Sequence, residues 1–300
     1  MTKNLAASVR ARLLAIAKSQ DAEFNQVLVR FALERILYRL SVSAHADHFV
    51  LKGALLFTLW YDMPHRPTRD ADLLGFGPSD PDSIAQTFRD IAGIEVEDGI
   101  LFDLATINVE EIRKEAGYAG VRVLITGEIA KARCKTQIDI GFGDAVTPDP
   151  VHAVYPVLIE YLPAPHLRTY SIYSVIAEKL HAIALLGMTN SRLKDYLDIW
   201  VLQDRETLNP HTLARAIAAT FIRRGMAVPA ALPIGLTQEF ATDPSRQAMW
   251  RAFLKKNQLA VTPLLEVVTT LRTMLEPALI QAATLMATVG AVDVDKLDSS

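Results

Sequence analysis

Arg66-Pro67-Thr68-Arg69-Asp70-Ala71-Asp72-Leu73-Leu74 is the stretch on which the fold and chemistry of this chain turn. Asp70 and Asp72 alternate with apolar Ala71 and Leu73, the pattern of a strand with one wet face and one buried face. On such a strand the two carboxylates point the same way, roughly 7 Å apart. Hard divalent cations take oxygen ligands of this kind. Two ions held there can activate an attacking oxygen and steady a leaving phosphate. Asp-x-Asp also occurs as a plain strand end or turn, so the pair has to be weighed with its surroundings.

Upstream, HFVLK (48–52) reads as a short strand followed by a helix over 54–62. Downstream, Gly77-Pro78 closes the strand, and 81–92 form an amphipathic helix behind the Ser79-Asp80 turn. β character follows over 100–108, 120–130, 132–142 and 154–161, with Pro150, Pro156, Pro163 and Pro165 punctuating the exit. In Gln137-Ile138-Asp139-Ile140-Gly141, Asp139 faces away from the two isoleucines. A carboxylate on an interior strand needs a cation partner. That partner is either a metal ion or a salt bridge to Arg133, Lys135 or Arg122. Asp144 reads as a turn residue after Gly143.

Helical periodicity covers 5–18 and 21–40, then resumes from Tyr170 over 171–187, 192–204, 210–223, 244–256 and 263–288. The fold class expected is α+β and bilobal: a mixed-sheet lobe and a helical C-terminal lobe. The division is N-terminal helices over 1–47 packing on the core, an α/β lobe over 48–162, a helical lobe over 163–290, and a disordered tail over 291–300. A cleft between lobes is the natural ligand site. In the helical lobe, Lys179 falls on the apolar stripe of its helix. It either snorkels or points into a cleft toward an anion. Arg192, Asp195 and Asp198 lie off the stripe of the next helix at spacing three, as a surface ion-pair row would.

The chain has 300 residues, half of them hydrophobic, with a net charge of −3. That length supports one large domain or two ordinary ones. No apolar run reaches membrane-spanning length and the N-terminus lacks a signal cleavage site, so neither a span nor secretion is expected. The lone Cys134 excludes a disulfide framework and a cysteine zinc cluster, and fits a reducing cytoplasm. The net charge is a cancellation: +3 over 1–47, −8 over 48–162, +4 over 163–290 and −2 over the last ten residues. An acidic middle between basic flanks is compatible with metal carboxylates and a polyanionic partner.

Taken together these segments resemble the AbiEii/AbiGii-type nucleotidyltransferase toxins of the DNA polymerase β-like superfamily. The resemblance rests on Leu51-Lys52-Gly53-Ala54-Leu55, Arg66-x-Thr-x-Asp70-x-Asp72, Ile138-Asp139-Ile140, Glu178-Lys179 and Arg192-x-Lys194-Asp195-x-x-Asp198, in order over 48 to about 204. It implies the toxin half of a toxin–antitoxin pair, transferring a nucleotide from an NTP with Mg2+; some members modify the 3′ end of tRNA. By that resemblance Asp70, Asp72 and Asp139 hold metal and Lys179 lies near the triphosphate. Asp195 is the essential late aspartate, either base or organiser, while Lys52, Gly53, Arg66 and Arg69 bind or flank the nucleotide phosphates. One departure stands out: Gly53-Ala54-Leu55 replaces the Gly-Ser motif, so the phosphate-touching hydroxyl is missing. Thr68 is the one nearby substitute. RNA, a protein or small-molecule hydroxyl, and an inactive nucleotide-binding role remain the three alternatives.

His45-x-x-His48, Gly75-x-Gly77 and Gly141-x-Gly143 lack the further residues that a metal site or phosphate loop requires. Arg223-Arg224 and Lys255-Lys256 read either as solvated helix ends or as phosphate-backbone contacts.

Overall fold

The computed structural model describes residues 3–61, 68–113 and 119–297. In chain order the elements are α1 (Lys3–Ser19), α2 (Phe24–Ser41), β1 (Phe49–Lys52), α3 (Leu55–Tyr61), β2 (Asp70–Gly75), α4 (Pro81–Ala92), β3 (Leu101–Arg113), β4 (Ala119–Ile129), β5 (Ala132–Phe142), β6 (Val151–Val154) and β7 (His166–Thr169). They continue with α5 (Ile172–Leu186), α6 (Leu193–Arg205), α7 (Pro210–Arg223), α8 (Gln238–Thr242), α9 (Pro244–Lys256) and α10 (Leu264–Leu297). The class is α+β, as expected. The chain divides into two compact units, residues 1–143 with 151–169, and residues 144–150 with 170–300. The loose tail expected from 291 overlaps the last turns of α10, and residues 298–300 lie outside the described residues.

The first unit is built on a seven-stranded mixed sheet, ordered β3-β4-β5-β2-β1-β7-β6. β2 runs parallel to β5 and antiparallel to β1, while β1 runs parallel to β7. One face of the central strands is continuously apolar: Leu51, Ala71, Leu73, Val121, Val123, Ile138 and Ile140 are all buried. α2 packs on β5, with Phe31, Leu33, Ile36 and Leu40 buried. At about 25 cal/mol per Å2 of apolar surface, this burial is the main force holding the layers together.

α2 also carries charge inward. Arg39 donates to both oxygens of Asp98, at 2.6 and 3.2 Å, and its Nε donates to the Ile94 carbonyl at 3.0 Å. Both side chains are buried. Glu34 and Arg35 are buried one turn earlier. Glu34 accepts the Leu158 N–H at 2.7 Å and Arg35 donates to the Pro163 carbonyl at 3.0 Å, which ties the β6–β7 connection to α2. Burial raises the Glu34 pKa to about 7 against the lowering pull of Arg35.

Where the sequence suggested a strand over 154–161, the structure has the edge strand β6 ending at Val154 and the short β7 after Pro165. Proline cannot donate to a ladder, so Pro156 stops the strand and Pro165 delays the next one. The Tyr155 N–H closes the connection onto the Pro165 carbonyl at 2.8 Å.

The second unit is helical. α5 is capped by Ser171, whose hydroxyl accepts the Ser174 N–H at 3.2 Å, and it packs against α6 and α7. α10 lies on α6 and α7. Among the described residues one segment, Ile172–Thr189, is long and apolar enough to cross a membrane, although no span was expected. In the fold this is the core helix α5, with Val175, Ile176, Leu180 and Ile183 buried.

Asp98→Ala should leave the Arg39 guanidinium buried without its carboxylate. The expected loss is about 3–5 kcal/mol in urea unfolding at neutral pH.

Candidate active site

The register of the sheet places the predicted carboxylates. Asp72 on β2 lies directly across from Asp139 on β5 and from Lys52 on β1. Beyond β5 the same row continues to Arg122 on β4 and Glu110 on β3. One line across five strands thus reads Glu110, Arg122, Asp139, Asp72, Lys52, with Asp70 two residues from Asp72 on the same face. Neighbouring strands are about 4.8 Å apart, so each charge has its neighbours within direct Coulombic reach.

Gly53 makes room for this row. Its φ is +74°, a conformation that costs an L side chain energy. A Cβ there would fall 2.7 Å from the Asp72 Cβ and 2.8 Å from its Cγ. Glycine follows β1 because the Asp72 side chain occupies the space of its missing methyl. Lys52, the last residue of β1, is buried. The Asp70 carboxylate accepts the Thr68 hydroxyl at 2.8 Å, so that hydroxyl orients a carboxylate. Arg69 is exposed just ahead of β2. Arg66 lies outside the described residues.

Asp139 is engaged differently from Asp70 and Asp72. Arg122 donates to it in a fork, Nε to Oδ1 and Nη2 to Oδ2, each at 2.9 Å, and Gln137 adds a third donor at 3.2 Å. Of the salt-bridge partners open to it from sequence, Arg122 is the one in place. Among the described residues no three His, Cys, Asp or Glu side chains gather as a metal-binding group. Asp70 and Asp72 supply oxygen donors of the kind that hard divalent cations take, while the oxygens of Asp139 face a guanidinium.

The helical unit brings together Lys179, Asp195 and Asp198. The Lys179 ammonium donates to Asp195 at 3.0 Å and to Asp198 at 2.6 Å, and Arg192 Nε donates to the other Asp195 oxygen at 2.7 Å. Both aspartates are fully buried. They do not form the surface ion-pair row that their spacing off the apolar stripe suggested. Lys179, with 12% of its side chain exposed, is fixed by two carboxylates on α6 and does not snorkel. Burial works to raise the Asp195 pKa, but Lys179 and Arg192 outweigh it and hold the carboxyl below its ordinary range. A buried carboxylate with a depressed pKa is a weak general base, since an effective base titrates near the working pH. Its geometry suits it to orient Lys179.

A second cluster in this unit escaped the sequence reading. Arg224, at the end of α7, donates to Asp144 at 2.9 Å and lies 3.4 Å from Glu178, which also accepts the Tyr170 hydroxyl at 3.1 Å. Asp144 is therefore an ion-pair residue as well as the exit from β5. His181 is buried beside Arg224. Burial and that charge lower its pKa to about 4, so the ring is neutral at physiological pH. The available signal was Glu178 and His181 beside Lys179 in a mostly apolar helix.

A family model described as nucleotidyl transferase AbiEii toxin, type IV TA system, matches residues 35–276, and the chain belongs to that family. No curated protein matches it. Two solved structures from Helicobacter pylori are similar in fold. One is JHP933, with 15% identity, TM-score 0.49, and 89% of this chain and 97% of that chain covered. The other, a proposed nucleotidyltransferase, has 17% identity, TM-score 0.48, and 86% and 96% covered.

Gly53→Ala should cost about 1–2 kcal/mol in urea unfolding from its left-handed backbone alone. It should also displace the Asp72 carboxylate, so transfer activity falls further than stability does. The lowered pKa of Asp195 contributes stability above the ordinary carboxylate pKa of 3.8, which is lost as pH falls through the depressed value. Asp195→Asn should therefore be less stable at pH 7 and show a shallower loss of stability on acidification below that pKa, as followed by circular dichroism.

Proposed function

We propose that this toxin is a metal-dependent nucleotidyltransferase that moves a nucleoside monophosphate from an NTP onto RNA, most concretely onto the 3′ end of tRNA. The observation that carries this is that Asp70 and Asp72 share one sheet face, with Asp72 directly opposite Asp139 on the neighbouring strand. Like charges so placed destabilise a sheet unless cations answer them. Mg2+ bound there supplies polarisation of the phosphoryl oxygens and activation of the attacking hydroxyl.

The chain's own part is placement and charge, as in phosphoryl transfer generally. Asp70 and Asp72 fix the metal position, and Gly53 gives Asp72 its space. Lys179, held by Asp195 and Asp198, is the cation that the family resemblance assigns to the triphosphate. Lys52 and Arg69 face the phosphates. Asp195 acts as organiser, for the reason given by its depressed pKa. An RNA acceptor is supported by the basic balance of residues 163–290, where Arg223, Lys255 and Lys256 are exposed. Membership of a toxin–antitoxin family implies a cognate antitoxin as protein partner. The single buried Cys134, its thiol pushed up to about 11 by burial, suits a reducing cytoplasm.

The test is to incubate the purified protein with each α-labelled NTP and total tRNA. Label should move to RNA, stop with EDTA and return with Mg2+. Asp72→Ala should lower the rate by about 100-fold or more. Label on protein or a small molecule, with RNA untouched, would reassign the acceptor; NTP binding without turnover would make this chain an inactive member.

A further inference from the structure

The fork between Arg122 and Asp139 has a consequence for how the acidic face takes up a cation. A carboxylate offers about four lone-pair sites. Three of those on Asp139 are already directed at donors: two from Arg122 and one from Gln137. A guanidinium and a hard metal ion want the same lone pairs, and arginine cannot step aside by losing its proton. Arg122 can step aside only by turning.

The sheet provides somewhere for it to turn. Glu110 on β3 lies directly across from Arg122 on the side away from Asp139, and it is exposed. Arg122 thus stands between two carboxylates in register. About one third of its side chain is exposed, against 11% for Asp139, so the guanidinium is the more accessible partner. Its charge is favoured by Asp139 first, and also by Asp70 and Glu110.

We propose that Arg122 is a built-in competitor for the metal. While it grips Asp139 that carboxylate is closed to a divalent cation, and Asp139 becomes a ligand only when Arg122 turns away toward Glu110 or another anion. This rests on the reading of Asp70 and Asp72 as the metal-binding pair. Arg122 is a positioning residue here, since it acts through Asp139 and not on the reacting atoms. A site completed in this conditional way binds metal weakly at rest and more tightly once an anion such as a triphosphate draws the guanidinium off.

The experiment is Mn2+ titration of the nucleotide-free full chain, followed by electron paramagnetic resonance. Asp72→Asn should weaken binding at least tenfold, whereas Asp139→Asn in the parent background should change it less than twofold. Arg122→Gln should tighten binding about tenfold, the scale on which groups behind metal ligands act. Adding Asp139→Asn to that variant should remove the gain. Arg122→Lys keeps a cation but not the fork, and should give an intermediate gain even if Arg122→Gln folds poorly. The proposal alone is overturned if Asp139→Asn weakens binding as much as Asp72→Asn, or if neither Arg122 variant tightens it. If neither the parent chain nor the Arg122 variants bind Mn2+, the metal-pair reading fails and the proposal with it.

Discussion

Two carboxylates placed directly opposite on neighbouring strands, Asp72 and Asp139, are the constraint around which the sheet unit is arranged. Left alone they would repel at about 5 Å in a partly dehydrated setting. The structure answers from both sides, with Lys52 across from Asp72 and Arg122 forked onto Asp139. Gly53 follows from the same constraint, because only a residue without Cβ leaves space for the Asp72 side chain. The apolar reverse face permits all of this. Ala71, Leu73, Ile138 and Ile140 anchor β2 and β5 in the core, so the strands cannot slip to relieve the repulsion without turning those side chains to water.

Much of the fold was legible in the sequence because its elements carry strong local signals. The helix over 81–92 is observed with those bounds, since Asp80 caps it through the Ser83 N–H at 2.9 Å and Pro81 opens it. The helices over 210–223 and 244–256 likewise begin at prolines behind Asn209 and Asp243 caps. β6 and β7 were missed or misplaced because each is short and set beside the prolines at 156, 163 and 165, and their pairing is set by tertiary contact.

The face carrying the carboxylates was legible from the alternation in Asp70-Ala71-Asp72-Leu73 and Ile138-Asp139-Ile140, but the row across the strands was not. Arg122 comes opposite Asp139 because β4 and β5 turn on two residues, Ala130 and Lys131, whose φ values are 46° and 69°. Such a turn is normally announced by Asn-Gly or Asp-Gly. Ala-Lys announces nothing, so the register could not be counted back from it. The burial of Asp195 and Asp198 was hidden for another reason. Helical periodicity sorts apolar from polar positions, and it cannot show that a second helix will supply Lys179 as counter-charge.

The two charged groups balance differently. In the helical unit Lys179 and Arg192 answer Asp195 and Asp198 one for one, so that cluster is neutral and suited to holding a lysine still. On the sheet face Lys52 and Arg122 stand against Asp70, Asp72, Asp139 and Glu110, a formal balance of −2. A triphosphate is repelled by such a face, and a divalent cation is attracted to it. On the proposed chemistry this negative row is where the cation is held, while the third carboxylate is kept in reserve by an arginine. The −8 balance over residues 48–162 contains this local deficit. On the proposed chemistry its functional part lies in one row of side chains on one face of the sheet.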